Sequence, residues 1–310
     1  MELKHYSVML SECIDALNIR PDGIYVDATL GMGGHSYEIA QRLKTGRLIA
    51  IDRDVKALER SLPRLEPFMD RISLVHGNFR EMNAILNELG IDKVDGMLFD
   101  LGVSSPQLDE SERGFSYMSD APLDMRMDQS DGITASDIVN TWDKERLKRI
   151  LYDFGEERFA PRIAEAIVRA REQGKIETTL ELVDIIKSAM PSAALREKQH
   201  PAKRSFQAIR IAVNDELEAV SEVLSTAADR LNVGGRLVVI SFHSLEDRIV
   251  KNAISSKENG CTCPREFPIC TCGFVKTLKS IARKPILPGE SELEENPRSR
   301  SAKLRIAERV

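Results

Sequence analysis

The fold of this chain is decided by the stretch Ile24-Tyr25-Val26-Asp27-Ala28-Thr29-Leu30-Gly31-Met32-Gly33-Gly34-His35-Ser36. It begins with an apolar run that favours a β-strand, continues with three glycines within four positions, and leads into a helical pattern from Ser36 to Leu43. Glycines let a backbone approach a ligand closely, and the first turn of a helix offers unpaired N–H groups. The stretch therefore predicts a nucleotide-cofactor site.

Three positions indicate which nucleotide fits. The dinucleotide fingerprint G-x-G-x-x-G would need a third glycine where this chain has Ser36. Asp27 closes the strand, where a carboxylate would repel a pyrophosphate and attract the ammonium group of a methionine moiety. Asp52 ends the next apolar run, about 20 residues later, where an acid can hold ribose hydroxyls. We therefore expect S-adenosylmethionine rather than NAD, with a plain strand-turn-helix as the alternative interpretation.

The composition is that of an ordinary soluble protein. The 310 residues carry 44 Lys and Arg against 49 Asp and Glu, a net charge of −5, which does not by itself indicate a nucleic-acid binder. No run approaches the roughly 18 apolar residues of a membrane helix, and the N-terminus lacks a signal-peptide core. We expect a cytoplasmic protein with no membrane partner. The sequence leaves the oligomeric state open, a homodimer included.

Two segments are more basic than the average. Residues 196–212 hold five Lys or Arg against one acid, and residues 274–310 hold nine against five. Such segments either form solvated surface or contact phosphate, and both interpretations stay open. Arg210 is a candidate phosphate ligand in the first of them, whereas Phe206 and Trp142 fit the apolar core better.

Four of the five cysteines crowd into two C-x-C pairs, Cys261 with Cys263 and Cys270 with Cys272. In a reducing compartment such thiols indicate a metal site rather than disulfides. The spacing departs from the C-x-x-C of most zinc knuckles, so zinc and a metal-free loop both stay open. We assign no metal to the catalytic groups.

Strands and helices alternate through the first hundred residues and predict a parallel, doubly wound α/β sheet. A helix over His5–Leu17 should precede the strands. The other predicted elements are strands at Arg47–Asp52, Ile72–His76, Gly96–Asp100, Arg236–Ser241, Val275–Pro285 and Leu304–Ala307, helices at Val55–Leu65, Met82–Leu89, Phe206–Leu231 and Ser244–Ser255, and an acidic linker at Glu290–Glu295.

More than 130 residues separate the fourth strand from the fifth, too many for a structureless loop. Apolar positions there repeat with a helical period, and Thr178 with Glu181 forms a capping box. We predict a methyltransferase domain of residues 1–105 and 206–310, and an inserted helical domain of residues 106–205. Leu304–Ala307 is the predicted edge strand, and five parallel strands with a two-strand finish match the layout of a class I S-adenosylmethionine-dependent methyltransferase.

Several further motifs together resemble the RsmH (MraW) family of bacterial ribosomal RNA methyltransferases. They lie at Asp27–His35, Phe99–Gln107, Pro122–Asp128, Phe206–Ile211, Ile240–Arg248 and Asn296–Ser301. The resemblance implies methyl transfer from S-adenosylmethionine to the exocyclic N4 of a cytidine in the decoding region of 16S rRNA, with that RNA as partner, within the small ribosomal subunit. It also implies the cofactor contacts, which are Gly33, Gly34, His35, Asp52, Phe79, Asp100 and Gln107.

The chemistry needs an acceptor for the N4 proton, because the amine becomes acidic once it is methylated. Asp100, after strand four, could fill that role or could only hold the cofactor. His243, after strand five, could stack on a flipped base or could serve as a structural histidine. Two other functions stay in view: an NAD-linked oxidoreductase, and an RNA-binding assembly factor without catalysis.

Overall fold

The computed structural model describes residues 7–264 and 271–310, so His5 and Cys270 lie outside the described residues. The chain forms two compact units. One comprises Met1–Gly102 and Leu217–Val310, and the other comprises Val103–Glu216. The divisions fall three residues before and eleven residues after those predicted. No helix in the described part of the chain is both long and apolar enough to cross a membrane.

The first unit is built on a seven-stranded sheet with the order β3-β2-β1-β4-β5-β7-β6. β1 to β5 pair in parallel, and β7 pairs antiparallel with both β5 and β6. This mixed sheet confirms the predicted α/β fold. The strands are β1 (Ile24–Asp27), β2 (Arg47–Asp52), β3 (Ile72–His76), β4 (Val94–Asp100), β5 (Leu231–Ser241), β6 (Leu278–Ser280) and β7 (Lys303–Arg309).

Both faces of the central strands are covered. Val26 and Phe99 belong to the apolar core on one face, and Tyr25 and Leu98 belong to the core on the other. A parallel strand that is buried on both faces has a nearly continuous apolar sequence, and this pattern allowed β1, β2 and β4 to be predicted. In the described residues, seven α-helices contribute to this unit: α1 (Leu10–Leu17), α2 (Gly34–Arg42), α3 (Val55–Leu65), α4 (Met82–Glu88), α12 (Glu216–Ala227), α13 (Ser244–Asn259) and α14 (Glu290–Glu295).

The C-terminal part of this unit differs from the prediction in three ways. The last strand, β7, lies between β5 and β6 and is not an edge strand. The predicted strand Val275–Pro285 shrinks to the three residues of β6. Glu290–Glu295 is helix α14 and not a linker, since acidic side chains in its first turn suit the positive end of a helix.

The prediction of a single crossover helix over Phe206–Leu231 is wrong. The segment forms two helices, α11 (Lys203–Asn214) and α12, which are separated at Asp215 by a left-handed backbone with φ of 51°. α11 packs on α6 (Ala135–Thr141) and α7 (Lys144–Asp153) of the second unit, and this explains why that unit extends past residue 205.

The second unit is helical. Its core contains Leu147, Ile163, Ile167 and Phe206, and Trp142 packs against it half-buried, as expected. The capping box of Thr178 is present at the start of α9. Its helices are α5 (Ser105–Asp109), α6 (Ala135–Thr141), α7 (Lys144–Asp153), α8 (Ala160–Arg171), α9 (Thr179–Ala189), α10 (Ser192–Leu195) and α11.

Candidate active site

The glycine loop joins β1 to α2 at the carboxyl end of the sheet. Gly31 and Gly33 have φ values of 53° and 73°, a left-handed backbone that glycine adopts without strain. The Leu30 N–H donates to the Ile51 carbonyl at 2.9 Å, which ties the loop to β2. α2 begins at Gly34, so the N–H groups of its first turn lie at the loop. The strand, the glycine loop and the helix start are arranged as the sequence predicts.

Asp52, the predicted ribose ligand, organises the loop. Its two carboxylate oxygens accept hydrogen bonds from the backbone N–H of Gly31 and of Asp54, each at 2.8 Å. Burial raises the pKa of Asp52 to about 6, although these N–H donors lower it. The remaining lone pairs of the two oxygens can accept from hydroxyl groups.

Asp27 has a different role from the one expected. It is completely buried, and its carboxylate accepts from the Ser36 hydroxyl at 2.7 Å and from the Thr29 N–H at 3.2 Å. The expectation that Asp27 faces the ammonium group of a ligand is therefore wrong for this structure. Burial raises its pKa to about 6. The pair also explains why serine stands where a dinucleotide fingerprint has its third glycine.

Asp100 ends β4 beside the glycine loop, and its N–H donates to the Thr29 hydroxyl at 2.7 Å. The side chain is 24% exposed. Among the described residues, no donor lies within hydrogen-bonding distance of its buried Oδ1. Burial, and then the negative charges of Asp27, Glu246 and Glu292, raise the pKa of Asp100 to about 8. The site thus holds an acid that a positively charged ligand would ionise.

A short N-terminal segment covers the loop from outside. The His35 Nε2–H donates to the Val8 carbonyl at 3.1 Å, and the His35 Nδ1 lies 3.8 Å from Asp100 Oδ2. A Cβ atom on Gly34 would lie 1.9 Å from the Ser7 Oγ, so glycine at this position makes room for the segment. The sequence pattern does not predict these roles of Ser7, Val8 and Thr29, because their contacts depend on long-range packing.

Phe79 follows β3, in a short 3-10 helix capped by Asn78, whose side chain accepts from the Arg80 N–H at 3.1 Å. Its ring meets Phe99 edge-on, with 5.9 Å between the ring centroids. The loop before it is anchored where the Gly77 N–H donates to the Asp52 carbonyl at 3.0 Å. Five predicted residues, Gly33, Gly34, His35, Asp52 and Asp100, are therefore linked through the glycine loop, and Phe79 joins them through the end of β2.

Two other predicted residues lie in the helical unit. Gln107 is buried in α5, and its side chain accepts from the Ser104 N–H at 3.0 Å in a capping box. Arg210 makes a two-pronged ion pair with the buried Glu216, at 2.9 and 2.8 Å. That pairing supports a structural role for Arg210 over phosphate binding.

His243 caps α13. Its Nδ1 accepts from the Glu246 N–H at 3.5 Å, and its Nε2 lies 3.1 Å from the Glu246 carboxylate. These contacts favour the structural interpretation of His243 over base stacking.

A cavity of about 560 Å³ lies in the first unit, the one built on the sheet, between α1, α2 and the start of α14. Gly34 lines it together with Ser7, Tyr37, Arg64 and Glu292. It shares only Gly34 with the predicted cofactor contacts, so it borders the glycine loop without being the predicted site.

The profile of the MraW methylase family matches residues 2–310. The chain belongs to this family. The ribosomal RNA small subunit methyltransferase H of Brevibacillus brevis is 57% identical over 100% of this chain and 99% of its own length. The same-named protein of a Paenibacillus species is 55% identical, with 99% of each chain covered.

A Streptococcus mutans structure in complex with SAH covers 99% of this chain and 100% of its own, at 12% identity and a TM-score of 0.44. Both values are low, and the fold assignment rests on the strand order of the sheet. The match to the MraW methylase family profile confirms the family resemblance that the motifs indicated. This MraW-family chain is a methyltransferase, and S-adenosylmethionine is its methyl donor.

Proposed function

We propose that the chain methylates the exocyclic N4 of a cytidine in the decoding region of 16S rRNA. The curated relatives, at 57% and 55% identity, are named for methylation of small-subunit ribosomal RNA, which supports the RNA class. The observation that carries the choice of an amine is the buried Oδ1 of Asp100 at the end of β4, which has no hydrogen-bond donor within reach among the described residues. An exocyclic amine has N–H groups to donate, whereas a ring carbon has none.

The N4 lone pair is delocalised into the cytosine ring, so the amine is a poor nucleophile. The site must align the amine with the donor methyl group and exclude water, and a hydrogen-bond acceptor for N4–H would return electron density to the nitrogen. Asp100 fits the acceptor role, because no donor in residues 7–264 or 271–310 competes for its Oδ1. Thr29 holds the Asp100 backbone at 2.7 Å, which fixes the position from which the carboxylate acts.

The residues at the loop fit a cationic donor. S-adenosylmethionine supplies an electrophilic methyl group and brings positive charge to the site. Nearby positive charge favours the carboxylate form of Asp100, whose pKa of about 8 leaves it largely protonated at neutral pH without such a charge. We assign Gly33, Gly34 and His35 to the cradle, Asp52 to the ribose hydroxyls and Phe79 to the adenine.

After transfer, the methylated N4 is cationic and gives one proton to Asp100, which passes it to water. The carboxylate cannot deprotonate the neutral amine beforehand, since the pKa of such an amine is far too high. Asp100 thus has two roles. Before the transfer it accepts a hydrogen bond from N4–H, and after the transfer it accepts a proton from the methylated nitrogen. Gln107 is assigned to the cofactor on the family resemblance, and this assignment stays a prediction.

Transfer of a labelled methyl group tests the proposal. The purified chain, S-adenosylmethionine labelled in the methyl group, and either small subunits or naked 16S rRNA are incubated, and the RNA is digested to nucleosides. We expect label in N4-methylcytidine. Label in 5-methylcytidine or in a ribose-methylated nucleoside would contradict the proposal, as would label found only in protein.

Asp100→Asn refines the same assay. If Asp100 accepts the N4 proton, kcat itself falls, and saturating donor does not restore the wild-type rate. If it only holds the donor, KM for S-adenosylmethionine rises while kcat is unchanged. Running subunits and naked RNA side by side also shows which form is the substrate, and we expect the assembled subunit, because RNA shape contributes to such recognition.

A further inference from the structure

The loop between α13 and β6 brings three cysteine thiols together. The Sγ atoms of Cys261, Cys263 and Cys272 all lie within 4.8 Å of one another, and those of Cys261 and Cys272 are 3.7 Å apart. Cys270, the fourth cysteine of the sequence cluster, lies outside the described residues. The trio belongs to the sheet unit, and the proposed methyl transfer makes no use of it.

The distance between the Sγ atoms of Cys261 and Cys272 is that of two ligands on one metal ion. Zn²⁺ holds thiolates at about 2.3 Å in a tetrahedron, which puts two sulfurs about 3.8 Å apart. A disulfide needs about 2.05 Å between its two sulfurs. The observed 3.7 Å matches the tetrahedral edge.

The surroundings of Cys263 are those of a metal-bound thiolate. The Thr271 N–H donates to its Sγ at 3.2 Å, and the Thr271 hydroxyl lies 3.5 Å from the same atom. Donors to sulfur orient ligating thiolates and stabilise their charge. Cys261 and Cys272 are exposed, so an ion can reach the sulfurs from solvent.

The base of the loop is already closed by the protein. The Thr277 N–H donates to the Lys257 carbonyl at 3.0 Å. A Cβ on Gly260 would lie 2.7 Å from the Phe274 ring, so the ends of the loop meet closely there. The described residues of the tip, 261–264 and 271–273, are exposed apart from the half-buried Cys263, so none of them packs into an apolar core that would hold the tip. A metal ion would close the tip at low entropic cost, because its base is fixed.

We propose that Cys261, Cys263 and Cys272 bind one Zn²⁺ ion that holds this loop. The three thiolates fill three of the four tetrahedral positions, and water or a further protein group fills the fourth. The ion is structural: it fixes the chain between α13 and β6 and takes no part in methyl transfer. The inference is independent of the proposed RNA specificity.

Metal content tests this directly. The tag-free full-length chain, purified under reducing conditions with added zinc and then desalted, should contain about one zinc ion per chain by mass spectrometry. Exchange for Co²⁺ should give thiolate-to-cobalt charge-transfer bands in the near ultraviolet and intense visible bands typical of a tetrahedral site. Removing the ion with a chelator should speed tryptic cleavage between α13 and β6 without unfolding the sheet.

Cys263→Ser should weaken Zn²⁺ binding at least roughly tenfold to a hundredfold, the range found even for groups that only support metal ligands. Cys13→Ala, which removes a buried thiol outside the cluster, is the matched control and should leave the zinc content unchanged. Circular dichroism confirms that both variants fold.

Three results would overturn the proposal. Zinc content could equal that of the Cys261, Cys263 and Cys272 triple serine variant. The cobalt spectrum could lack thiolate bands. Finally, the denatured, chelated chain could show about three free thiols in place of the five in the sequence, which would indicate a disulfide.

Discussion

Asp100→Asn is expected to stabilise the free protein while it impairs function. The substitution keeps the size of the side chain and removes its charge. In the folded protein without a ligand, the Asp100 carboxylate is poorly solvated and lies near Asp27, Glu246 and Glu292, which raises its pKa to about 8. In the unfolded chain its pKa returns to the ordinary value. A binding site that holds such a group gives up stability for function.

The sign and size follow from proton linkage. The folded-state pKa is raised, so the contribution of Asp100 to stability is fully present below about pH 4 and is lost as the pH rises to about 8. From pH 5 to pH 8 the loss is at most roughly 4 kcal/mol, at about 1.36 kcal/mol per pH unit. Because the side chain is 24% exposed, we expect about 2–3 kcal/mol. Asparagine carries no such dependence.

Thermal unfolding of both proteins at pH 5 and at pH 8 provides the assay. The Tm of the variant relative to that of the wild type should be about 4–12 °C higher at pH 8 than at pH 5, at roughly 2–4 °C per kcal/mol. Asp229→Asn, at an exposed position in the same unit, is the control and should show no pH-dependent gain. If the difference in Tm between Asp100→Asn and the wild type is the same at both pH values, the argument that a desolvated charge destabilises the site is refuted.

Three further substitutions test separate contacts. Ser36→Gly completes the dinucleotide fingerprint, yet it should confer no NAD affinity in a titration and should cost about 1–3 kcal/mol of unfolding free energy, because Asp27 loses a charged hydrogen bond; measurable NAD binding would contradict this. Asp52→Ala should raise the dissociation constant for S-adenosylmethionine at least about tenfold, by calorimetric titration with circular dichroism as the folding control, since the loop and the ribose both lose an acceptor. Arg210→Ala should destabilise the helical unit by about 2–4 kcal/mol in denaturant unfolding, and adding Glu216→Gln should restore most of it; unchanged stability with a weaker RNA affinity would show instead that Arg210 contacts phosphate.

The sequence predicted the parallel part of the sheet well, because local signals suffice there. β2, β3 and α3 have the predicted bounds, since each is an apolar or amphipathic run ended by glycine, proline or a capping residue. The position of β7 between β5 and β6 depends on pairing between distant strands, which no local pattern encodes. The sequence did not predict the break at Asp215, because the helices on both sides of it are amphipathic and together resemble one long amphipathic helix.

The site was predictable to the same extent. The glycines, Asp52 and Asp100 stand at strand ends, where chain order alone places them at one edge of the sheet. The role of Asp27 was not predictable, because its burial depends on Ser36 returning toward the strand from the next helix. The segment over the loop, with Val8 on His35, depends on contacts 27 residues apart.

A crystal structure of the chain with S-adenosylhomocysteine tests the central claim most directly. We predict the ribose hydroxyls within hydrogen-bonding distance of Asp52, the ligand against Gly33 and Gly34, and an open space beside Asp100 wide enough for a cytosine ring. A ligand bound away from the carboxyl ends of β1, β2 and β4, or side chains filling the space beside Asp100, would contradict the account.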